Sequence, residues 1–357
     1  MTFKSPSRRQ VVAGSAAVMA SAAVPFATAV RSQAPAAERI TPALIDAAKK
    51  EGRIVWYTSV DLPVAEKVGK AFEAKFPGIA VRVERTGAER VFQRIGQETA
   101  SRIFACDVVQ SSDAAHYIVW KRDAMLAAYV PEDVAQHYPA EHKDPDGMFA
   151  SWRVWLCPIA YNTNLVKAEE APKGFMDLLD PKWMGKMVKA HPGYSGTIMT
   201  STFQTARDLG WEYFEKLAKQ RVMQVQSAAD PPKKLALGER AVMADGADYA
   251  AQRLKDNGDP VEIVYAIEGT PLIVGPASVM KAAPNPNAAR LFHNWSMTAE
   301  AQQLNVDVGA LYSAHPGVKE RAGRRPLKDI KLMKDDPAAV EKMAEEIKAK
   351  YTQLFKV

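Results

Sequence analysis

Apolar residues fall in two alternating rhythms along most of this chain. Ile54-Val55-Trp56-Tyr57 is a compact run of strand length, and the segment behind it places Val64, Val68, Phe72 and Phe76 four apart, as one face of a helix does. Pro77-Gly78 closes that helix, and Ile79 to Val83 alternates apolar with charged as a strand. A helix follows from Gly87 to Ala100, then a strand from Cys106 to Val109, then a helix opened by Ser111-Ser112-Asp113. Upstream, Thr41-Pro42 caps a short helix that stops at Gly52. This βαβαβ order predicts a parallel sheet covered on both faces.

After a turn at 144–147, Ser151 to Tyr161 is one long apolar stretch rich in Trp and Val. A second α/β block follows, with strands at 187–190, 222–225, 241–244, 261–267 and 272–274 and helices at 195–209, 231–237 and 247–256. Helices at 287–297, 299–304 and 337–354 finish the chain. Two α/β blocks joined by extended strands predict two lobes with a ligand cleft between them.

The first residues follow a different rule. Lys4, Arg8 and Arg9 precede an uncharged, small-residue run from Val11 to Ala29 that ends Ala27-Thr28-Ala29, as a cleaved export signal does. Ser7-Arg8-Arg9-Gln10-Val11-Val12 resembles the twin-arginine export motif. The expected organisation is therefore a signal at 1–29, a first lobe at 30–155, a second lobe at 156–270, and a return to the first lobe with C-terminal helices at 271–357. The expected compartment is the periplasm.

Charge adds little. The formal charge is +6, and the signal's three basic residues account for half of it, leaving +3. No Lys/Arg run is interleaved with aromatics, so nothing argues for nucleic acid. Cys106 and Cys157 sit in apolar settings and are expected to be buried thiols. No zinc-type spacing, Walker loop, G-x-S-x-G elbow, HExxH or Rossmann fingerprint occurs, so neither a cofactor nor catalysis is expected.

Three strand-to-helix junctions carry small hydroxyl residues: Thr58-Ser59, Ser111-Ser112, and Ser195-Gly196-Thr197 behind Gly193. Each can offer a hydroxyl and the free N–H groups of a helix start to an anion. The carboxyl ends of strands in open α/β sheets face the ligand crevice, so the junctions are expected to converge there. Capping alone would also explain them. Trp152, Trp155, Tyr161 and Tyr249 are candidate aromatic walls, and Asp248 stands beside Tyr249. His191 lies beside the Gly/Ser loop, where a hydrolase would pair it with Ser195.

Several blocks in order resemble the periplasmic solute-binding proteins of type II, the family that includes the ferric-ion-binding proteins. They are 54–59, 107–112, 147–164, the Asp177-Leu178-Leu179-Asp180-Pro181-Lys182-Trp183-Met184-Gly185-Lys186 segment, 194–197 and 286–289. The resemblance implies a monomer that captures a solute by lobe closure and delivers it to an ABC permease with its ATPase. Iron-binding relatives carry two adjacent tyrosines where this chain reads Asp248-Tyr249, and Asp61 and Ser112 fall where some add histidine and glutamate. That departure favours the branch binding small organic anions, phosphorylated, phosphonate or carboxylate. Ser59, Ser111, Ser112, Ser195, Gly196 and Thr197 would grip the anion, with Trp152, Tyr161, Asp248 and Tyr249 selecting the rest. The alternative is iron held by Tyr249, Asp248 and Tyr161 with a synergistic anion.

Overall fold

The apolar runs pair into two separate sheets. The computed structural model describes residues 34–357, so the export signal lies outside the described residues. In chain order the strands are β1 (Arg53–Thr58), β2 (Ala80–Arg85), β3 (Val108–Gln110), β4 (Ala150–Leu156) and β5 (Ile159–Asn162). They continue as β6 (Met187–Ala190), β7 (Met223–Val225), β8 (Val242–Met243), β9 (Val261–Val264), β10 (Thr270–Val279) and β11 (Leu332–Met333). The first sheet runs β11-β10-β3-β1-β2, with β4 also paired to β10; the second runs β7-β6-β8-β5-β9.

In the first sheet β1 lies parallel to β2 and β3. The helix Leu62–Lys75 covers it and buries Val64, Val68 and Phe72, the positions spaced four apart. Phe72 meets Phe76, Phe292 and Trp295 with ring centroids 5.0, 5.1 and 5.4 Å away, inside the range of favourable aromatic pairing. A buried carboxylate fixes this layer at its base. Asp107 accepts from the Val55 N–H at 2.8 Å, the Asn285 N–H at 2.7 Å and Asn285 Nδ2 at 3.0 Å. It thereby ties β1, β3 and the loop before the helix Pro286–Ser296 together.

The Ser151–Tyr161 stretch is two strands rather than one. β4 belongs to the first sheet and β5 to the second, so the chain crosses between lobes at Cys157-Pro158. It returns between β9 and β10, and the two crossings lie side by side: β10 runs antiparallel to β4, with Leu272 opposite Leu156, and the Cys157 N–H donates to the Pro271 carbonyl at 3.0 Å. These paired crossings join the two sheets with one α/β lobe on each side, the arrangement that the resemblance to type II periplasmic binding proteins implies.

One expectation needs correction, and the structure adds features beyond the others. The strand expected at 272–274 spans ten residues, because Gly275-Pro276 reads as a breaker but forms a register shift inside β10 instead. Helices at Glu132–His137 and Trp211–Lys219 were not anticipated; the second is strongly amphipathic, burying Tyr213, Phe214 and Leu217. The C-terminal helix Pro337–Phe355 is polar in composition, yet Val340 and Ile347 join Ala115, Met199 and Phe203 in one apolar cluster. Ala115 follows β3 and the other two sit behind β6, so this helix rests on both lobes.

Cys106 and Cys157 are buried and unpaired, in different clusters, and burial pushes both thiols well above their ordinary pKa. A disulfide reagent at neutral pH should leave both unmodified in the native protein and react with both after denaturation; rapid native labelling would contradict this packing. Asp107→Ala strands three donors that the buried carboxylate now satisfies. It should lower unfolding free energy by about 3 kcal/mol in urea denaturation, whereas a surface-like loss below about 1 kcal/mol would show that Asp107 is not a tie.

Candidate functional site: the interlobe cleft

The parallel strands of both sheets point their carboxyl ends at the same space, where a cavity of about 220 Å³ lies between the lobes. Ser59 after β1 and Ser112 after β3 form part of its first-lobe wall, and Ser195 and Thr197 after β6 part of its second-lobe wall. The helix Gly196–Leu209 starts there with Ser195 as its N-cap, whose Oγ accepts from the Ile198 N–H at 3.4 Å. Tyr249, near the start of the helix Asp248–Asp256, completes this set. Five expected residues thus meet at one cavity.

The other five do other work. Ser111 is completely buried behind the wall; its N–H donates to the Tyr117 hydroxyl at 3.0 Å and its Oγ accepts from the Asp113 N–H at 3.3 Å. Trp152 sits in the first-lobe core, edge-on to Trp56 at 5.5 Å. Tyr161 faces the second-lobe core with Val166, Phe175 and Leu178. Asp248 points away from the cavity and forms a fully buried ion pair with Arg324, which also donates to the Ala310 carbonyl. Alternation places Trp152 and Tyr161 on a face, but only the fold says which face is core. Asp248 finds its partner 76 residues away.

Gly196 matters by its lack of a side chain. A Cβ there would lie 2.5 Å from the Asp113 Cβ on the opposite lobe, and one at Gly87 would lie 3.3 Å from the Tyr194 carbonyl. The lobes therefore meet at backbone distance over the cavity. At its edge Asp61 of the first lobe is ion-paired with Arg253 of the second, whose guanidinium also donates to the Gly309 carbonyl at 3.1 Å.

The most informative residue was not among the candidates. Arg153, in the middle of β4, lines the cavity and is only 1% exposed. Its Nη2 donates to the Ser59 Oγ at 3.1 Å, and its guanidinium lies 4.3 Å from the centre of the Trp155 ring. Its buried Nε has no partner, and among the described residues no carboxylate pairs with it. Burial lowers its pKa, with the nearby Tyr249 phenol opposing that shift. A charge within Trp152-Arg153-Val154-Trp155 was the available signal, because a lone cation in an otherwise apolar strand has to serve something. Arg85 and Arg90, which also line the cavity, carried no such signal.

Burial also pushes the Tyr249 hydroxyl up to about 12, with Asp61 adding to the rise. It is therefore a neutral donor at ordinary pH. His191 does not approach Ser195 as a base would: its Nδ1 accepts from the Gly193 N–H at 2.9 Å, and its Nε2 lies 3.4 Å from Thr352 Oγ1. Glu268, just before β10, accepts from the Phe175 and Met176 N–H groups at 3.1 and 3.0 Å.

The sequence pattern describing a bacterial extracellular solute-binding protein matches residues 118–331, more than half of the chain. A probable ABC transporter periplasmic-binding protein of Sinorhizobium fredii is 23% identical over 258 residues, covering 69% of this chain and 68% of its own. An uncharacterized protein of Haemophilus influenzae is 26% identical over 277 residues, 73% and 78% of the two chains. Among solved structures, the periplasmic binding protein AfuA from Actinobacillus pleuropneumoniae with exogenous fructose-6-phosphate bound superposes with a TM-score of 0.79. It is 24% identical and covers 86% of this chain and 99% of that one. Iron-bound HitA from Pseudomonas aeruginosa gives 0.74 at 22% identity over 85% and 99%. At these identities the structural likeness speaks for the fold, while the sequence match speaks for the family: this chain belongs to the bacterial extracellular solute-binding proteins.

Proposed function

We propose that this protein is the solute-binding component of an ABC importer and captures a small organic anion, phosphorylated, phosphonate or carboxylate, in the cleft between its lobes. The observation that carries this reading is Arg153, a buried cation at the cavity without a carboxylate partner. Burying an unpaired charge costs several kcal/mol, and an anionic ligand supplies the missing partner. Ser59 and Ser112 offer hydroxyls from one lobe; Ser195 and Thr197, at the start of a fourteen-residue helix, offer hydroxyls and helix N–H groups from the other. A ligand gripped from both sides favours the closed arrangement by contacts that an open cleft lacks. Export by the twin-arginine signal, the lobe limits at 155 and 270, and delivery to a permease and its ATPase are parts of the same reading.

Relatives of this fold include one with a sugar phosphate bound and one with iron bound. The donor set here favours the anion. Of the three oxygen ligands that iron would require, Tyr161 is packed in a core and Asp248 is held by Arg324. Tyr249 alone lines the cavity, as a phenol that resists ionisation.

Wild-type protein should gain thermal stability from at least one member of a panel of organic phosphates, phosphonates and carboxylates. Arg153→Gln should stay folded and lose about 100-fold in affinity for that ligand. Undiminished binding by this variant would sink the reading, as would a purple-red tyrosinate colour on adding ferric ion to the wild type. Gly196→Val should weaken the same ligand without touching it, because the new side chain strikes Asp113 on closing. Small-angle scattering should show the ligand-loaded variant more extended than loaded wild type; equal compactness would remove Gly196 from closure.

A further inference from the structure

Arg85 ends β2 at the rim of the cavity. Its Nε donates to the Val60 carbonyl at 3.2 Å, which fixes the guanidinium beside the loop carrying Ser59. Among the described residues no carboxylate pairs with it; it lines the same cavity as Arg153, and its positive charge helps burial to lower the Arg153 pKa. Arg90, on the neighbouring helix, adds a third guanidinium to the wall. Among the described residues the wall holds one carboxylate, Glu89, and that one is engaged: Gln93 donates to it at 3.1 Å, with Lys348 at 3.6 Å and His116 at 3.7 Å. The neighbouring imidazole chiefly, with Lys348 helping, holds Glu89 ionised down to about pH 2.

Resting on the anion reading, we propose that the cleft selects a phosphoryl head carrying two negative charges over singly charged anions, with Arg85 as the residue that sets this preference. A monoanion balances the buried Arg153 and leaves the exposed Arg85 charge at the rim without an anionic partner. A phosphoryl dianion balances both and presents three acceptor oxygens to the surrounding hydroxyls, where a carboxylate presents two. A guanidinium fork matches such a head bidentately, so two forks from different strands hold it against rotation.

The test separates charge from shape by using matched esters. A sulfate ester has the tetrahedral geometry of a phosphate ester but one charge fewer at pH 8, above the second phosphate pKa of about 6. The probes are the phosphate and sulfate esters of fructose, glycerol and ethanolamine, titrated calorimetrically into the full mature chain. Wild type should prefer a phosphate over its own sulfate ester by about thirtyfold or more, the scale of one added charge-assisted contact. Arg85→Gln should bring that ratio to within about threefold by losing phosphate affinity while sulfate affinity holds. Arg85→Lys should restore part of the preference because it keeps the charge. Equal affinity of wild type for both esters overturns the dianion assignment alone, as does a ratio unchanged in Arg85→Gln. Binding of carboxylates with no ester bound also overturns it and leaves the anion reading standing. Failure of every ester and every carboxylate overturns both.

Discussion

A guanidinium buried at the cleft without a carboxylate partner organises much of what surrounds it. Arg153 stands on β4, the strand that leads into the crossing between the sheets, so the charge sits close to that crossing. Trp155 covers one face of it and the Ser59 Oγ accepts one of its hydrogen bonds. The rest of its donor capacity is open to the cavity or unpartnered. An uncompensated charge of this kind lowers the stability of the empty protein, and proteins retain such a cost where binding recovers it. The hydroxyl-bearing junctions gain their meaning from this cation. Without it they are ordinary helix starts; around it, on the proposed anion reading, they form the neutral part of the cradle.

Much of the architecture was legible because it follows from short-range rules. The spacing of Val64, Val68, Phe72 and Phe76 and the compact run at 54–57 each specify an element with a buried face. Two such blocks joined by extended segments leave few arrangements other than two sheets and a hinge. Local rules failed where one residue has two possible readings. Gly275-Pro276 ends a strand in most contexts, and here β10 absorbs it as a bulge because β4 pairs on both sides of the shift. The junction hydroxyls were identifiable because strand, hydroxyl and helix are adjacent in sequence. Asp248 was misjudged because its neighbour Tyr249 does face the cavity, while its own partner, Arg324, comes from a distant loop. Arg153 was visible as an anomaly, but which side of a fully buried strand meets solvent is a property of the assembled lobes.

The two charged layers near the cleft behave differently. Asp248 and Arg324 are completely buried, and the pair ties the helix carrying Tyr249 to the end of the helix Ala299–Gly309 through the Ala310 carbonyl. Asp61 and Arg253 are partly exposed at the edge. The first is a fixed joint, since breaking it strands a buried charge. The second can open to water at small cost, as surface pairs do.

The C-terminal helix Pro337–Phe355 changes what opening means mechanically. Two crossing strands alone would let the lobes rotate like a door. Here Glu341 and Lys348 reach Arg122 and Glu89 of the first lobe, at 3.0 and 3.6 Å, while the Tyr351 hydroxyl donates to Gln224 of the second at 2.9 Å. A helix lying on both leaves of the door must slide along at least one of them as they part, so rotation at the crossings is geared to shear at this surface. Lys348 takes part in that sliding contact through Glu89, which also lines the ligand cavity. Any parting of the lobes would thereby also change the contacts of a helix far along the chain from the cleft.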